Sequence, residues 1–210
     1  MASHARDHGA KAVGIGEVGI GNTTVAAALL AALTGASASD CCGRGTGLDE
    51  SGLAHKVETV RKACECHHPA YSSVEGEAAK ARLVLKHLGG LEIAAMVGAY
   101  IEAPQSKVVV VVDGFISAVA ALCAARMAPA CRRNMVFATA LEEEPQAPAG
   151  GRILSAALGN PRPALSMRLC LGEASGAALA MPILRAAVKM VSSMGTLGEV
   201  MQLLPSDSGT

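Results

Sequence analysis

The chain has 210 residues, a length that fits one large domain, and 51% of them are apolar. Its 18 basic and 18 acidic residues balance, which argues against a protein that binds nucleic acid or an anionic membrane through charge. Aromatic residues make up only 2%, with no Trp, so the stacking platforms that single-stranded nucleic acid needs are also missing.

The first predicted unit is a strand, a glycine-rich loop and a helix. Residues 10–15 form a short apolar run, residues 16–22 contain three glycines, and residues 23–33 are rich in Ala and Leu, which favour helix. Glycines let a backbone approach a phosphate, and the helix N-terminus offers unpaired N–H groups. The same pattern is equally typical of a tight turn before an ordinary helix cap. An anion site at this loop is therefore one of two open interpretations.

The spacing Gly14-x-Gly16-x-x-Gly19 also fits the fingerprint of dinucleotide-binding proteins, which makes a nicotinamide-dependent oxidoreductase an alternative. The match is weak, because Glu17 would place its charge beside a pyrophosphate. Asp40 lies at a suitable distance for a ribose contact but follows no clear strand. A Walker A loop is absent, since no Gly-Lys-Ser/Thr triplet occurs.

The second glycine-rich loop spans residues 43–47. Arg44 lies between two of its glycines and is a candidate anion ligand, although a solvated arginine in a turn is comparably expected. Lys56 follows on the next predicted helix and, taken alone, is typical of a solvated lysine. Residues 69–73 contain a proline and are predicted to break the chain. The helices predicted after this loop are residues 49–66, 74–88, 91–101, 115–127 and 177–194.

Five consecutive valines at residues 108–112 predict the clearest strand. They show no polar alternation, which indicates burial on both faces, as in a parallel sheet. Asp113 follows directly and interrupts the apolar stretch, so this segment is interpreted as a strand and a helix rather than a membrane span. A further strand is predicted at residues 135–138, and residues 142–151 are predicted to form a loop.

The third glycine-rich segment, residues 171–176, precedes a strongly apolar helix. Glu173 lies between Gly172 and Ala174, in an apolar surrounding. A shielded carboxylate binds its proton more tightly, which suits a general base near neutral pH. The alternative is an acidic residue that is simply stabilised at a helix N-terminus.

Strands that alternate with helices predict an α/β fold with a mostly parallel sheet flanked by helices, a Rossmann-like three-layer core. We predict a single α/β domain over residues 1–204 and a disordered tail over residues 205–210. In open α/β sheets, ligands bind beyond the carboxyl ends of the strands. The three glycine-rich segments and Asp113 are all predicted to lie there.

Seven cysteines are scattered without a C-x-x-C pair, and the polar residues 1–7 show no signal peptide. These features predict a cytoplasmic protein with reduced thiols. Residues 64–68, Cys-Glu-Cys-His-His, look like metal ligands, but no second ligand pair follows at the spacing that zinc sites use. We therefore expect no metal.

Five segments occur in an order that resembles the nicotinate-nucleotide–dimethylbenzimidazole phosphoribosyltransferase family. They are GEVGIGNTT (16–24), GRGTGLD (43–49), GGLEIA (89–94), VDGFI (112–116) and LGEASGA (171–177). The resemblance covers residues 14–201. The sequence begins about midway through the sheet core of the family. We therefore interpret it as an N-terminally shortened member with an incomplete smaller helical subdomain.

The resemblance implies a transfer of ribose 5-phosphate from nicotinate mononucleotide to 5,6-dimethylbenzimidazole, a benzimidazole-type base. The products are nicotinate and α-ribazole 5′-phosphate, the nucleotide of the lower ligand of cobalamin. The resemblance also implies a homodimer that needs no cofactor and no metal. A shortened relative that binds a nucleotide or nucleobase without turnover is the alternative.

Carried over by motif, Glu173 is the general base, Asp113 faces the ribose, and Glu17 holds the ribose or the base. Gly172 and Gly176 accompany the general base in the substrate site. The residues that the resemblance implies around the phosphate are Gly19, Gly21, Asn22, Thr23, Gly43, Arg44, Gly45, Thr46 and Lys56. The sequence departs from the family at residues 139–144, which replace a histidine- and serine-bearing stretch, and at Val18 and Ala174, which stand for Met and Gly.

Overall fold

A computed structural model describes residues 1–143, 148–169 and 171–203 of the chain. In these ranges there are three strands, namely β1 (Ala12–Ile15), β2 (Val109–Val112) and β3 (Met135–Phe137). The α-helices in the same ranges are α1 (Ala2–Asp7), α2 (Asn22–Thr34), α3 (Ala38–Cys41), α4 (Glu50–Ser72), α5 (Glu77–Leu88), α6 (Leu91–Ser106), α7 (Phe115–Met127), α8 (Pro148–Ala157), α9 (Ser175–Ser193) and α10 (Leu197–Leu203).

The three strands form one parallel sheet in the order β1-β2-β3, with Val13 opposite Val110 and Val111 opposite Val136. The central strand β2 is buried on both faces. Val110 and Val112 pack into the core formed with α2 and α5 to α7, whereas Val111 packs on the other face against α9. The predicted α/β fold with a parallel sheet between helices is thus confirmed, and the run of valines is explained.

Alanine-rich helices cover the face of the sheet to which Val110 and Val112 belong. In α7, nine of the thirteen residues are buried, most of them alanines, and α2 buries Leu29 and Leu30 completely. Small side chains let these helices lie close to the sheet and to one another, so the core is dense with few aromatic rings, of which Tyr71 and Tyr100 are buried. No helix in the described residues is long and apolar enough to cross a membrane.

The predicted break at residues 69–73 is wrong, because α4 continues through Pro69 to Ser72. A proline removes one hydrogen bond inside a helix and usually kinks or ends it. Here the last turn is anchored by Tyr71, which is buried and whose hydroxyl donates to the carbonyl oxygen of Cys64. Burial of this ring outweighs the local preference against helix.

The predicted loop over residues 142–151 is partly wrong, because α8 begins at Pro148. Proline suits the first position of a helix, where its missing N–H has no partner anyway. A Cβ on Gly151 would overlap the carbonyl oxygen of Leu141, so this glycine permits close packing and does not mark a flexible loop. Residues 144–147 lie outside the described part of the chain, as does the predicted tail 205–210.

Candidate active site

A cleft of about 600 Å³ opens where β1 and β2 end, at the edge of the sheet where α/β proteins bind ligands. Its volume lies in the range of small-molecule sites. Three glycine-rich segments and the start of α7 surround it. The predicted site residues that line it are Glu17, Gly19, Asn22, Thr23, Gly43, Gly45, Thr46, Lys56, Asp113, Gly172 and Glu173.

Three of the predicted site residues do not line the cleft. Gly21 precedes α2 with a φ of 85°, a left-handed conformation that glycine adopts without strain. The guanidinium of Arg44 donates to the carbonyl oxygen of Leu48 and pairs with Glu50, so its charge is already engaged. Gly176 is buried in the first turn of α9.

Several cleft residues were not named from the sequence as site residues. They are Gly16, Val18, Ile20, Cys41, Gly114, Phe115, Ile116, Ser117 and Leu171. All except Cys41 and Ser117 lie inside the five recurring segments, so the segments themselves were the signal that could have found them. Cys41 follows no such pattern, and only the fold brings it to the cleft.

Lys56 is the most informative side chain in the cleft. It is only 5% exposed, and its ammonium donates to Thr23 Oγ1 and to the carbonyl oxygen of Gly43, both at 2.9 Å. Both acceptors are neutral, and within the described residues no carboxylate pairs with it. Burial lowers the pKa of Lys56 against a smaller opposing effect of Cys42. Since an ammonium has three N–H groups, one remains for a ligand, and an anion would supply the missing charge.

The N-terminus of α2 points to the same kind of ligand. No side chain caps this 13-residue helix, and Thr23, in its first turn, is the residue that also contacts Lys56. Uncapped amides and the helix dipole both favour an anion at this position. Together, the helix end and the buried ammonium form a cationic pocket on one side of the cleft.

Acidic side chains also line the cleft. Burial raises the pKa of Glu17, and the negative charges of Glu92, Asp113 and Glu173 raise it further. The carboxylate of Glu17 accepts a hydrogen bond from the side-chain amide of Asn22. The cleft therefore contains both a buried cation and a group of mutually repelling carboxylates.

Glu173 does not have the apolar surrounding that the sequence predicted. It lines the cleft, but its side chain is exposed. Glu173 and Ala174 both adopt a φ of 63°, a left-handed conformation that non-glycine residues rarely take. The two residues form a turn closed by a hydrogen bond of 3.0 Å from the Ser175 N–H to the carbonyl oxygen of Gly172, and in this turn the side chain of Glu173 is open to solvent.

Replacing Glu17 with Gln is expected to stabilise the fold at neutral pH. A raised pKa means that the fold favours the protonated form, so stability is lost as pH rises through this raised value. Glutamine imitates the protonated form and still offers an oxygen to Asn22. We expect a higher Tm than wild type at pH 7 and no difference below about pH 4, where carboxyl groups take up protons. A lower Tm for the variant at pH 7 would contradict the expectation that the ionised Glu17 carboxylate destabilises the fold.

Replacing Gly16 with Ala is expected to displace the segment that carries Glu173. A Cβ at Gly16 would overlap the backbone nitrogen of Ala174, and a backbone atom cannot rotate away. Overpacking of this kind costs about 1–3 kcal/mol, and the change in Tm measured by calorimetry checks it. Gly98→Ala is the matched control, because Gly98 is exposed in α6 and a Cβ there meets nothing within 4 Å. Equal Tm changes in the two variants would contradict the close approach.

Among the described residues, no three His, Cys, Asp or Glu side chains converge on a point where a metal ion could bind. This includes the metal-like segment at residues 64–68. In that segment Cys66 is exposed, and the Sγ of Cys64 faces the carbonyl oxygen of Ala28.

The fold and the cleft define an α/β protein with a candidate small-molecule site at the carboxyl ends of its strands. A family model described as "Phosphoribosyltransferase" matches residues 1–200. The chain therefore belongs to this phosphoribosyltransferase family.

Individual relatives carry a more specific name. The nicotinate-nucleotide–dimethylbenzimidazole phosphoribosyltransferase of Ectopseudomonas mendocina (strain ymp) is 47% identical over 184 residues, which are 88% of this chain and 49% of that protein. The protein of the same name from Ralstonia nicotianae is 42% identical over 93% of this chain and 51% of its own length. The crystal structure of CobT from Thermus thermophilus superposes with a TM-score of 0.81 at 38% identity, over 95% of this chain and 55% of that one. The chain thus spans about half the length of the relatives it matches.

Proposed function

We propose that the protein transfers ribose 5-phosphate from nicotinate mononucleotide to 5,6-dimethylbenzimidazole, giving α-ribazole 5′-phosphate and nicotinate. The observation that carries this proposal is the buried ammonium of Lys56, which has neutral partners only and lies between the first two glycine-rich loops. A phosphate would supply the negatively charged partner that this ammonium does not have among the described residues. The names of the relatives support the particular substrates.

The phosphate of nicotinate mononucleotide would bind between Lys56, Thr23 and the loop that contains Gly43 and Gly45. The N-terminus of α2 adds backbone N–H groups to this pocket. Binding the phosphate in this way fixes the ribose across the middle of the cleft. The anomeric carbon then lies between the cationic pocket and the carboxylates.

The carboxylate of Glu17 would stabilise the reacting sugar. As the bond to nicotinate breaks, the anomeric carbon gains oxocarbenium character and positive charge. The carboxylate of Glu17 lines the cleft where this charge would develop. Preorganised charges of this kind lower the barrier without reorganisation during the reaction.

Glu173 would act as the general base. Nicotinate leaves with the electron pair of the broken C–N bond and neutralises its own pyridinium, so it needs no proton. One benzimidazole nitrogen forms the new C–N bond, and the proton on the other nitrogen passes to the carboxylate of Glu173. Attack on the face opposite the leaving group converts the β-nucleotide into the α-product.

The incoming base has an apolar surface to rest on. Val18, Ile20 and Leu171 are exposed and line the cleft, and Phe115 and Ile116 line it from α7. A flat aromatic base bound against them would bury apolar area and shield Glu173 from water. In this proposal the substrate supplies the apolar surrounding that the protein alone does not give the carboxylate.

We further propose a cytoplasmic homodimer. The helices α9 and α10 expose large apolar side chains, among them Val188 at 68%, Val191 at 91% and Leu197 at 78%. A monomer would leave this surface in water, and a second subunit would cover it. Light scattering should give twice the chain mass of 21.1 kDa.

The second candidate is a relative that binds a nucleotide or nucleobase without turnover. The exposure of Glu173 favours it, because the protein alone does not shield this carboxylate from water. The two candidates predict different results when the protein is mixed with nicotinate mononucleotide and dimethylbenzimidazole. Release of nicotinate together with α-ribazole phosphate supports the transferase, and saturable binding without release supports the second candidate. Binding of NAD alone would contradict both.

A further inference from the structure

The helix α9 has no cap of its own. Its N-cap residue, Ala174, is left-handed and provides no side-chain acceptor for the first-turn N–H groups. The acceptor comes from the end of β2 instead. Oδ1 of Asp113 accepts a hydrogen bond of 2.8 Å from the backbone N–H of Ala177, which is 64 residues away in the chain. A carboxylate at this place satisfies an otherwise unpaired amide and complements the helix dipole.

The hydrogen bond between Asp113 and Ala177 depends on close packing of α9 against the end of the sheet. A Cβ on Gly176 would lie 2.9 Å from Oδ1 of Asp113 and 2.7 Å from Cγ2 of Thr139, so only glycine lets the helix approach this closely. The hydroxyl of Thr139 donates to the backbone carbonyl of Asp113 at 2.8 Å. The carboxylate is thereby held between two strand ends and the first turn of α9, and the residue is 6% exposed.

The turn that carries the candidate base is continuous with this first turn. Glu173 and Ala174 immediately precede α9 in left-handed conformations, and Ala174 lies against Gly16 of the first loop. Left-handed residues other than glycine persist only where the surroundings hold them. The turn is closed by a hydrogen bond of 3.0 Å from the Ser175 N–H to the carbonyl oxygen of Gly172, and it is held from outside by the close approach of Gly16 and by the carboxylate of Asp113.

We infer that Asp113 is a positioning residue for Glu173. The Asp113 carboxylate anchors the start of α9 and thereby sets the position of the Glu173 carboxylate in the cleft. The resemblance, in contrast, implies that Asp113 faces the ribose. This inference rests on the proposed function for its link to catalysis. Its structural part, that Asp113 holds the turn, stands without it.

The test compares Asp113→Ala with Asp113→Asn. Alanine removes the acceptor, whereas asparagine keeps an oxygen at the same place and loses only the charge. For Asp113→Ala we expect kcat to fall about 100-fold, because a displacement of about 1 Å in a catalytic group costs that much. The Kd for nicotinate mononucleotide, measured by calorimetry, should stay within about threefold of wild type, since the phosphate pocket is untouched. Asp113→Asn should recover most of the lost kcat.

Hydrogen exchange followed by mass spectrometry gives a readout that does not need activity. Exchange in residues 172–178 should accelerate at least tenfold in Asp113→Ala and far less in Asp113→Asn. Asp49→Ala is the control, because Asp49 caps α4 through an equivalent bond of 2.7 Å to the N–H of Gly52. It should lose the stability of one helix cap, about 1 kcal/mol, with kcat unchanged. If Asp113→Ala does not fold, Asp113→Ser replaces it, because its hydroxyl is too short to reach the amide.

A rise of tenfold or more in the Kd for nicotinate mononucleotide in both Asp113 variants would overturn the inference in favour of a ribose contact. Unchanged exchange in residues 172–178 of Asp113→Ala would overturn it as well. A wild-type protein that transfers no ribose phosphate contradicts the proposed function, and the exchange measurement then still decides whether Asp113 holds the turn.

Discussion

A Glu173→Gln variant is expected to lose phosphoribosyl transfer by about 10²–10⁴-fold, the contribution that a positioned general base makes. Glutamine fills the same space but cannot accept the proton from the attacking benzimidazole. The loss should appear in kcat, since the phosphate and ribose contacts lie elsewhere in the cleft. Nicotinate release followed by chromatography measures it.

The matched control is Glu75→Gln, because Glu75 is exposed and does not line the cleft. It should have the kcat and KM of wild type. Transfer that continues at the wild-type rate in Glu173→Gln would remove this residue from the mechanism. A rise in the Kd for nicotinate mononucleotide without a change in kcat would give it a binding role instead.

A Lys56→Met variant is expected to bind nicotinate mononucleotide about 30-fold to 1,000-fold more weakly. The estimate corresponds to about 2–4 kcal/mol, a typical cost of removing one partner of a buried, charged hydrogen bond. Methionine has a similar length and suits a buried site, so the variant should fold with a Tm at least equal to that of wild type. Binding by calorimetry and unfolding by thermal scan check the two parts separately.

Lys62→Met is the control for this variant. Lys62 lies on the same helix, α4, but it is exposed and pairs with Glu58 at 3.4 Å. Its loss should leave the Kd unchanged, because exposed pairs contribute little and this one is remote from the cleft. An equal loss of affinity in both variants would mean that general charge, and not the buried ammonium, attracts the phosphate.

The sequence was sufficient to predict the sheet and the loops of the cleft. The run of valines before Asp113 predicted a parallel strand buried on both faces, and the structure has this arrangement. The glycine-rich segments could be located because each follows or precedes a recognisable element. The valine strand and the glycine-rich segments are determined mainly by residues that are close in the chain, so composition and periodicity were enough to predict them.

The sequence was not sufficient where tertiary contacts decide. Pro69 predicted a break that the buried ring of Tyr71 overrides. The surrounding of Glu173 was predicted from its neighbours in the chain, but its exposure depends on how the left-handed turn packs in the folded protein. Lys56 was typical of a solvated lysine by spacing alone, and only its contact with Thr23, 33 residues away, reveals a buried cation.

The most direct measurement is a crystal structure of Glu173→Gln with nicotinate mononucleotide and dimethylbenzimidazole bound. We expect a phosphate oxygen within about 2.7–3.2 Å of the Lys56 ammonium, and a benzimidazole nitrogen at a similar distance from the side chain of residue 173. A phosphate bound outside the first two glycine-rich loops, or a base that lies out of reach of residue 173, would contradict the proposed transfer.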